Sequence, residues 1–445
     1  MTMAAPNRSD GTVSRILKNM GLLFGGKTSA VLIGLVVLGI AARALTVEEL
    51  GSLLLLHAFV ALVTGVASFK SWQALIQYGT RPSKDGDLPR FQRLLRFTIG
   101  LDLLAALVAA ILSVSAFLVI RTTLGLPDSV FGLALVHCLV SAANLRSTPL
   151  GVLRLHDRFD LISLYDQVVP FVRLVGAIAG VLIGGGLGWF IGVWAVAAAA
   201  TNIVMPALAL RELRRRGEDK GLFSAAPTLK APEEGIWRFV WMSNIDATIS
   251  LFDKQMPTML SGVLLGPAFA ALFKIARDIS DVFAKAARLL NQVLYPELVR
   301  LMTDGDSARS VRIILYTSLS LLAVGSGVAV LIRIFGPALF SVALEPAYQG
   351  VAPIATLLVV AAALMGAAAP VYSGLYALGR PGRAVLARAV TVALTLMSFV
   401  ILANTFGPSG PGRAMVLGAA LGLVVTSAIA MSQMSNVRSA QTPPS

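Results

Sequence analysis

The chain has 445 residues, of which 56% are hydrophobic and only 13% charged, and its mean hydropathy is +0.79. A soluble globular chain carries about 25% charged residues, so there are too few here to cover a water-facing surface, and most of the chain reads as immersed in lipid. One cysteine, Cys138, excludes an intrachain disulfide, and three scattered histidines (His57, His137, His156) without HExxH spacing argue against a His-built metal site; no cofactor or metal is expected.

A membrane-spanning helix needs roughly 20 mostly apolar residues. After a polar leader, 1–20, six spans are predicted at 21–44, 51–69, 97–120, 129–147, 161–183 and 187–210. A polar segment, 211–236, follows. Six more spans fall at 237–263, 268–294, 313–335, 351–372, 385–406 and 414–434, before a tail, 435–445. Gly, Pro and charge clusters separate the spans, as helix ends require. The leader is too long for a cleavable signal peptide. Residues 21–28, GLLFGGKT, match the P-loop pattern, but the match is embedded in the first span with no strand before it and is rejected. Asp85-Gly86-Asp87 and Asp304-Gly305-Asp306 read as solvated turns rather than metal-binding DxD sites. Gly180, Gly184 and Gly188 form a small-xxx-small series suited to close helix packing.

The net charge of +14 could suggest nucleic acid, so its distribution decides. With the N-terminus inside, 26 of the 37 Lys and Arg residues fall in inner segments and 4 in outer loops. That is a positive-inside pattern; the excess charge marks topology, no nucleic-acid partner is expected, and both termini are placed in the cytoplasm. Removing span 268–294, whose charge could hide it from a hydropathy window, would put Arg380, Arg383 and Arg388 outside, so it is kept. The fold expected is all-α, about twelve transmembrane helices in two six-helix lobes: an N-lobe, 21–210, and a C-lobe, 237–434, joined by the 211–236 linker. An even number of spans per half predicts parallel repeats.

Thirteen ionisable side chains lie inside the spans. In span eight, Lys274, Arg277, Asp278, Asp281, Lys285 and Arg288 fall within an arc of about 100° on a helical projection. Gln292 continues the stripe, while Phe273, Ile275, Ala276, Ile279, Val282 and Phe283 occupy the other face. Exposing six charges to lipid would cost about 15–20 kcal/mol, more than a whole domain's stability of about 5–15 kcal/mol, so the stripe is expected to face protein or water. It has four cations against two anions; pairing alone leaves positive charge over, which favours an anion site over a purely structural ladder. In span seven, Asp246, Ser250 and Asp253 share a face, Lys254 lies beside it, and Pro257 is expected to kink or loosen the helix. Lys27 either snorkels inward or lines the cavity. Asp166 and Arg173 read as structural, either a pair or partners for a neighbouring helix, and Asp102 as a hydrated carboxylate near the inner surface.

Several stretches carry a family resemblance. Ala42-Arg43-Ala44-Leu45-Thr46-Val47-Glu48-Glu49-Leu50-Gly51 resembles the ARxLGxxxxG start of span two in polysaccharide-biosynthesis flippases, with Thr46 in place of the usual Gly. Leu265-Gly266-Pro267, Phe273-Lys274-Ile275-Ala276-Arg277, Leu294-Tyr295-Pro296-Glu297-Leu298 and Leu378-Gly379-Arg380-Pro381 are similar to further motifs of that family in order and spacing. The chain thus resembles the Wzx-like O-antigen and exopolysaccharide flippases of the multidrug/oligosaccharidyl-lipid/polysaccharide (MOP) superfamily. The resemblance implies a bacterial inner-membrane protein that exports polyprenyl-diphosphate-linked oligosaccharide by alternating access, among membrane lipids and other polysaccharide-assembly proteins. On that reading Lys27, Lys254, Lys274, Arg277, Lys285 and Arg288 contact the diphosphate. Asp246, Asp253, Asp278 and Asp281 are candidates for ion coupling. The rival readings are a cation-coupled drug antiporter, which predicts an acidic, aromatic cavity, and a membrane-embedded glycan polymerase or ligase, which predicts a large outer loop where this chain has only a short one at 336–350.

Overall fold

The computed structural model describes residues 8–303, 307–343, 346–377 and 381–441, with most side chains between residues 25 and 432. Asp304-Gly305-Asp306, Glu345 and Leu378-Gly379-Arg380 lie outside the described residues, as do the side chains of Asp246, Gln292 and Tyr295-Pro296-Glu297.

The regular structure of the described residues is helical. In the first half the helices are α1 (Arg8–Ala44), α2 (Val47–Ala67), α3 (Ser71–Asp85), α4 (Leu88–Ile120), α5 (Phe131–Ala142), α6 (Ser147–Leu155), α7 (Phe159–Asp166), α8 (Val168–Ile183) and α9 (Leu187–Arg216). In the second they are α10 (Ile236–Leu265), α11 (Pro267–Thr303), α12 (Ser307–Ala343), α13 (Val351–Ala377), α14 (Pro381–Phe406) and α15 (Gly410–Gln441). Twelve crossings result. The fourth is built from α5 and α6 and the fifth from α7 and α8, while α3 is an additional short helix. Length and apolarity alone pick out nine segments of the described residues, the last enclosing both α14 and α15. Besides the short α3 they miss α10 and α11; α11, with its charged stripe, is the span that the positive-inside argument retains.

Two features depart from the expected spans. Residues 71–85 form a helix rather than a loop, burying Ala74, Leu75, Gly79 and Pro82 on one face. The fourth crossing breaks after Ala142, where Asn144 N and Leu145 N turn to the carbonyls two residues back and the Asn144 side chain braces the break. Asn144 donates to Ser68 Oγ at 3.1 Å and accepts from Arg146 Nε at 2.5 Å. The Asp85-Gly86-Asp87 segment is a turn, as read. Gly86 takes the left-handed conformation at φ 70° that closes α3, and the Asp87 side chain accepts from Arg90 N at 3.1 Å to cap α4.

Thr46 settles the shape of the turn before α2. Its backbone N donates to Glu49 Oε2 at 3.0 Å, and Glu49 N donates to Thr46 Oγ1 at 3.2 Å. This is a reciprocal capping box. Thr46→Ala is expected to cost about 1 kcal/mol, read as a lower unfolding temperature in detergent. Thr46→Ser should retain most of that stability.

The chain divides into two compact units. One holds the chain up to Ala44, Val60–Arg121 and Leu126–Thr248; the other holds Leu45–Phe59, Thr122–Gly125 and Ile249–Ser445. In unit one an apolar core of Leu75, Phe91, Phe97, Leu101, Val152 and Ile162 joins α3, α4, α6 and α7. The segment after α9 is docked on α4 in this unit. Gln92 Nε2 donates to Glu218 O (3.1 Å) and Lys220 O (2.5 Å), and Thr228 N donates to Arg96 O (3.3 Å). A Cβ at Gly100 would lie 2.6 Å from Thr228 O, so the approach requires glycine. Farther on, Arg90 grips Glu233 with two bonds of 2.5 and 2.8 Å, and holds its carboxyl below the usual carboxylate range.

In unit two α11 packs along α13, α13 also along α12 and α15, and α14 along α15. The first half of α2 is locked to the start of α11: a Cβ on Gly51 would sit 1.8 Å from the Pro267 carbonyl oxygen. The final glycine of the span-two motif and the proline of the span-eight motif are therefore two sides of one contact.

Candidate functional site

α11 owes its position to its two faces. Its apolar side buries Phe273, Ile275 and Ala276, with Phe273 packed edge-to-face on Phe399 of α14 at 5.7 Å. The charged side, on the same helix, lines a cavity of about 640 Å³ lying wholly within unit two. Five of the six expected cations meet there: Lys254 of α10 with Lys274, Arg277, Lys285 and Arg288 of α11. Asp253, Asp278 and Asp281 join them. Ser250 lines the cavity with Asp253, as their shared helix face requires.

Residues outside the sequence reading complete the wall. Arg388 reaches the cavity from α14, His57 from α2 and Gln255 from α10, with Ala361, Ala362 and Gly366 of α13 as a small-residue back. The sequence reading counts Arg388 with the inner-segment cations, yet it lies about two turns into α14 and inside the expected span 385–406. The lining holds six cationic side chains against three carboxylates, a formal surplus of three positive charges.

The charges are only partly consumed by one another. Lys274 Nζ pairs with Asp278 Oδ1 at 2.5 Å, one turn along α11. Asp281 and Asp278 lie within electrostatic reach of both Lys254 and Lys285. Arg277 Nη2 donates to the backbone carbonyl of Asp253 at 2.8 Å, while its Nη1 is buried without a hydrogen-bond partner. A second, smaller cavity of about 260 Å³ adjoins the first and shares Asp253, Met365, Ala369 and Arg388 with it; Asn291, Tyr372 and Thr391 add neutral polar groups.

The remaining candidates lie elsewhere. Lys27 does not line this cavity; it is exposed on α1 in unit one and acts electrostatically on Asp166. Asp246 sits on α10, its side chain outside the described residues. Of the two readings of Asp166 and Arg173, the structure shows partners on neighbouring helices and not a pair. Asp166 ends α7 and is felt by Lys27 and Arg154, whereas Arg173 lies on α8 with its guanidinium 4.5 Å from the Trp194 ring centre. Asp102 is not hydrated but 4% exposed, accepting from Ser71 Oγ (2.5 Å) and Thr148 N (2.7 Å). Those partners start α3 and α6, so its charge sits at two helix N-termini. Gly26, from the rejected P-loop pattern, is a packing residue: a Cβ there would lie 2.3 Å from Ser163 Oγ.

The architecture matches solved structures over nearly its whole length. A multidrug resistance MATE family transporter of the MOP superfamily, in its inward-facing conformation, gives a TM-score of 0.72 at 13% identity, over 93% of this chain and 95% of the other. Its outward-facing counterpart gives 0.60 at 14% identity, over 96% of each chain. The Vibrio cholerae MATE transporter VcmN in its bent form gives 0.56 at 14% identity, over 95% and 98%. No family profile matches the chain. The protein is therefore an all-helical, multi-pass membrane protein with the MATE-like fold of MOP superfamily transporters. It is 32% identical over 297 residues, 66% of this chain and 82% of the other, to Inner membrane protein YghQ of Escherichia coli (strain K12). The chain belongs to the family of that protein and is, like it, an inner membrane protein, here with multiple passes.

Proposed function

We propose that the protein is a MOP-type transporter that moves polyprenyl-diphosphate-linked oligosaccharide, an O-antigen or exopolysaccharide repeat unit, from the inner to the outer leaflet of the inner membrane. The observation that carries this reading is the surplus of three positive charges around the 640 Å³ cavity. A diphosphate cannot cross hydrocarbon unaided, and charge-assisted bonds from Lys and Arg are its natural recognition chemistry. Lys254, Lys274, Arg277, Lys285 and Arg288, joined by Arg388, form the diphosphate-binding set. Lys27 is a further cation for the path through unit one. The lipid tail stays in the bilayer while alternating access of the two lobes turns the site outward. The partners of such a protein are the lipid-linked glycan, the surrounding lipids and other polysaccharide-assembly proteins. The work is transport, with no bond made or broken.

An anion moving outward runs down an inside-negative potential by about 2.3 kcal/mol per charge per 100 mV. The carboxylates in the cavity favour a second source of drive. Asp253 and Asp281, with Asp246 and Asp278, are candidates to exchange a proton or Na⁺ for the substrate. Those same carboxylates are what a cation-coupled drug antiporter would use, but six cations in the lining disfavour a cationic drug. In proteoliposomes carrying lipid-linked glycan, flipping should fall several-fold when the potential and the ion gradients are collapsed together. Unchanged flipping would remove both forms of drive.

A further inference from the structure

Pro257 lies inside α10, which continues as helix to Leu265. Proline has no backbone N–H and its ring crowds the carbonyl four residues earlier. That carbonyl belongs to Asp253, and it is the group to which Arg277 Nη2 donates at 2.8 Å. Arg277 thus fills a vacancy that Pro257 creates in the hydrogen-bond ladder. The bond fixes one edge of the planar guanidinium and leaves Nη1 buried and unpartnered, on a side chain that lines the same cavity as Asp253. An unpartnered, buried, charged donor is costly unless a ligand completes it.

We infer that Pro257 is a positioning residue for the anion site: by freeing the Asp253 carbonyl it orients Arg277 so that Nη1 is presented to a phosphate oxygen. The inference rests on the anion-binding reading above. It assigns Pro257 an equilibrium role, distinct from that of a hinge, because a hinge would alter rates of interconversion without setting how the guanidinium is aimed.

The test is calorimetric binding of inorganic pyrophosphate to the full-length protein purified in detergent. Pro257→Ala returns an N–H to α10 and favours the helix, so folding is not at risk. The variant should bind pyrophosphate about tenfold more weakly, the equivalent of one charge-assisted hydrogen bond. Arg277→Ala should lose at least as much, and Pro257→Ala added to Arg277→Ala should lose nothing further, because the proline acts through the arginine. If Arg277→Ala weakens binding and Pro257→Ala alone does not, or if the two losses add, the positioning role is wrong and the anion site stands. If pyrophosphate binds the parent protein and Arg277→Ala equally, or binds neither, both the role and the anion site are overturned.

Discussion

Lys285→Ala and Arg277→Ala should each reduce export of the lipid-linked glycan by about tenfold or more while the protein still inserts. A hydrogen bond to a charged group is worth about 1.5–3 kcal/mol, or roughly 10- to 150-fold in affinity. Both side chains line the same cavity, and removing either lowers its charge surplus from three to two. Arg277 has a second duty, since it donates to the Asp253 carbonyl, so its loss should also lower thermal stability. Lys285 is engaged through the field of Asp281 and Asp278, and its variant isolates the contribution to transport. Surface glycan in complemented cells, normalised to protein in the membrane fraction, reads the effect. Normal export by both variants would remove these residues from the mechanism.

Asp102→Ala should be the most destabilising single change in unit one. It would leave two buried donors, Ser71 Oγ and Thr148 N, without their acceptor. Each stranded group costs about 1–3 kcal/mol, and the negative charge at the starts of α3 and α6 is lost as well. A total of about 2–5 kcal/mol is expected, seen as a large fall in unfolding temperature or as loss of the protein from the membrane. Asp102→Asn keeps an acceptor oxygen without the charge and should fall between. A loss within about 0.5 kcal/mol, the range of ordinary surface substitutions, would mean that these helix starts find other partners.

The charged face of α11 was legible in the sequence because its argument was one of cost: a stripe at helical spacing cannot face lipid, and one helix carries the whole of it. Arg388 was not legible in the same way. It is not part of a charged stripe on α14 and comes to the cavity only through the packing of that helix in unit two. The error over Asp102 has a related cause, since its partners lie 31 and 46 residues away and no periodicity connects them. Helix α3 escaped because Gly79, Pro82 and several charges give it the composition of a loop; burial of Leu75 and Ala74 overrides that local preference. The tight contact of Gly51 with Pro267 explains two motifs that were visible only as separate patterns. Spacing within a helix is readable, whereas contacts made by the fold between distant helices are not.

Native mass spectrometry of the detergent-solubilised protein, offered polyprenyl diphosphate and the uncharged polyprenol of equal chain length, tests the central claim most directly. The account predicts that the diphosphate is retained in preference to the alcohol, and that the preference disappears in the Arg277→Ala/Lys285→Ala double variant. Equal retention of the two lipids, or a preference that survives the double variant, would contradict it.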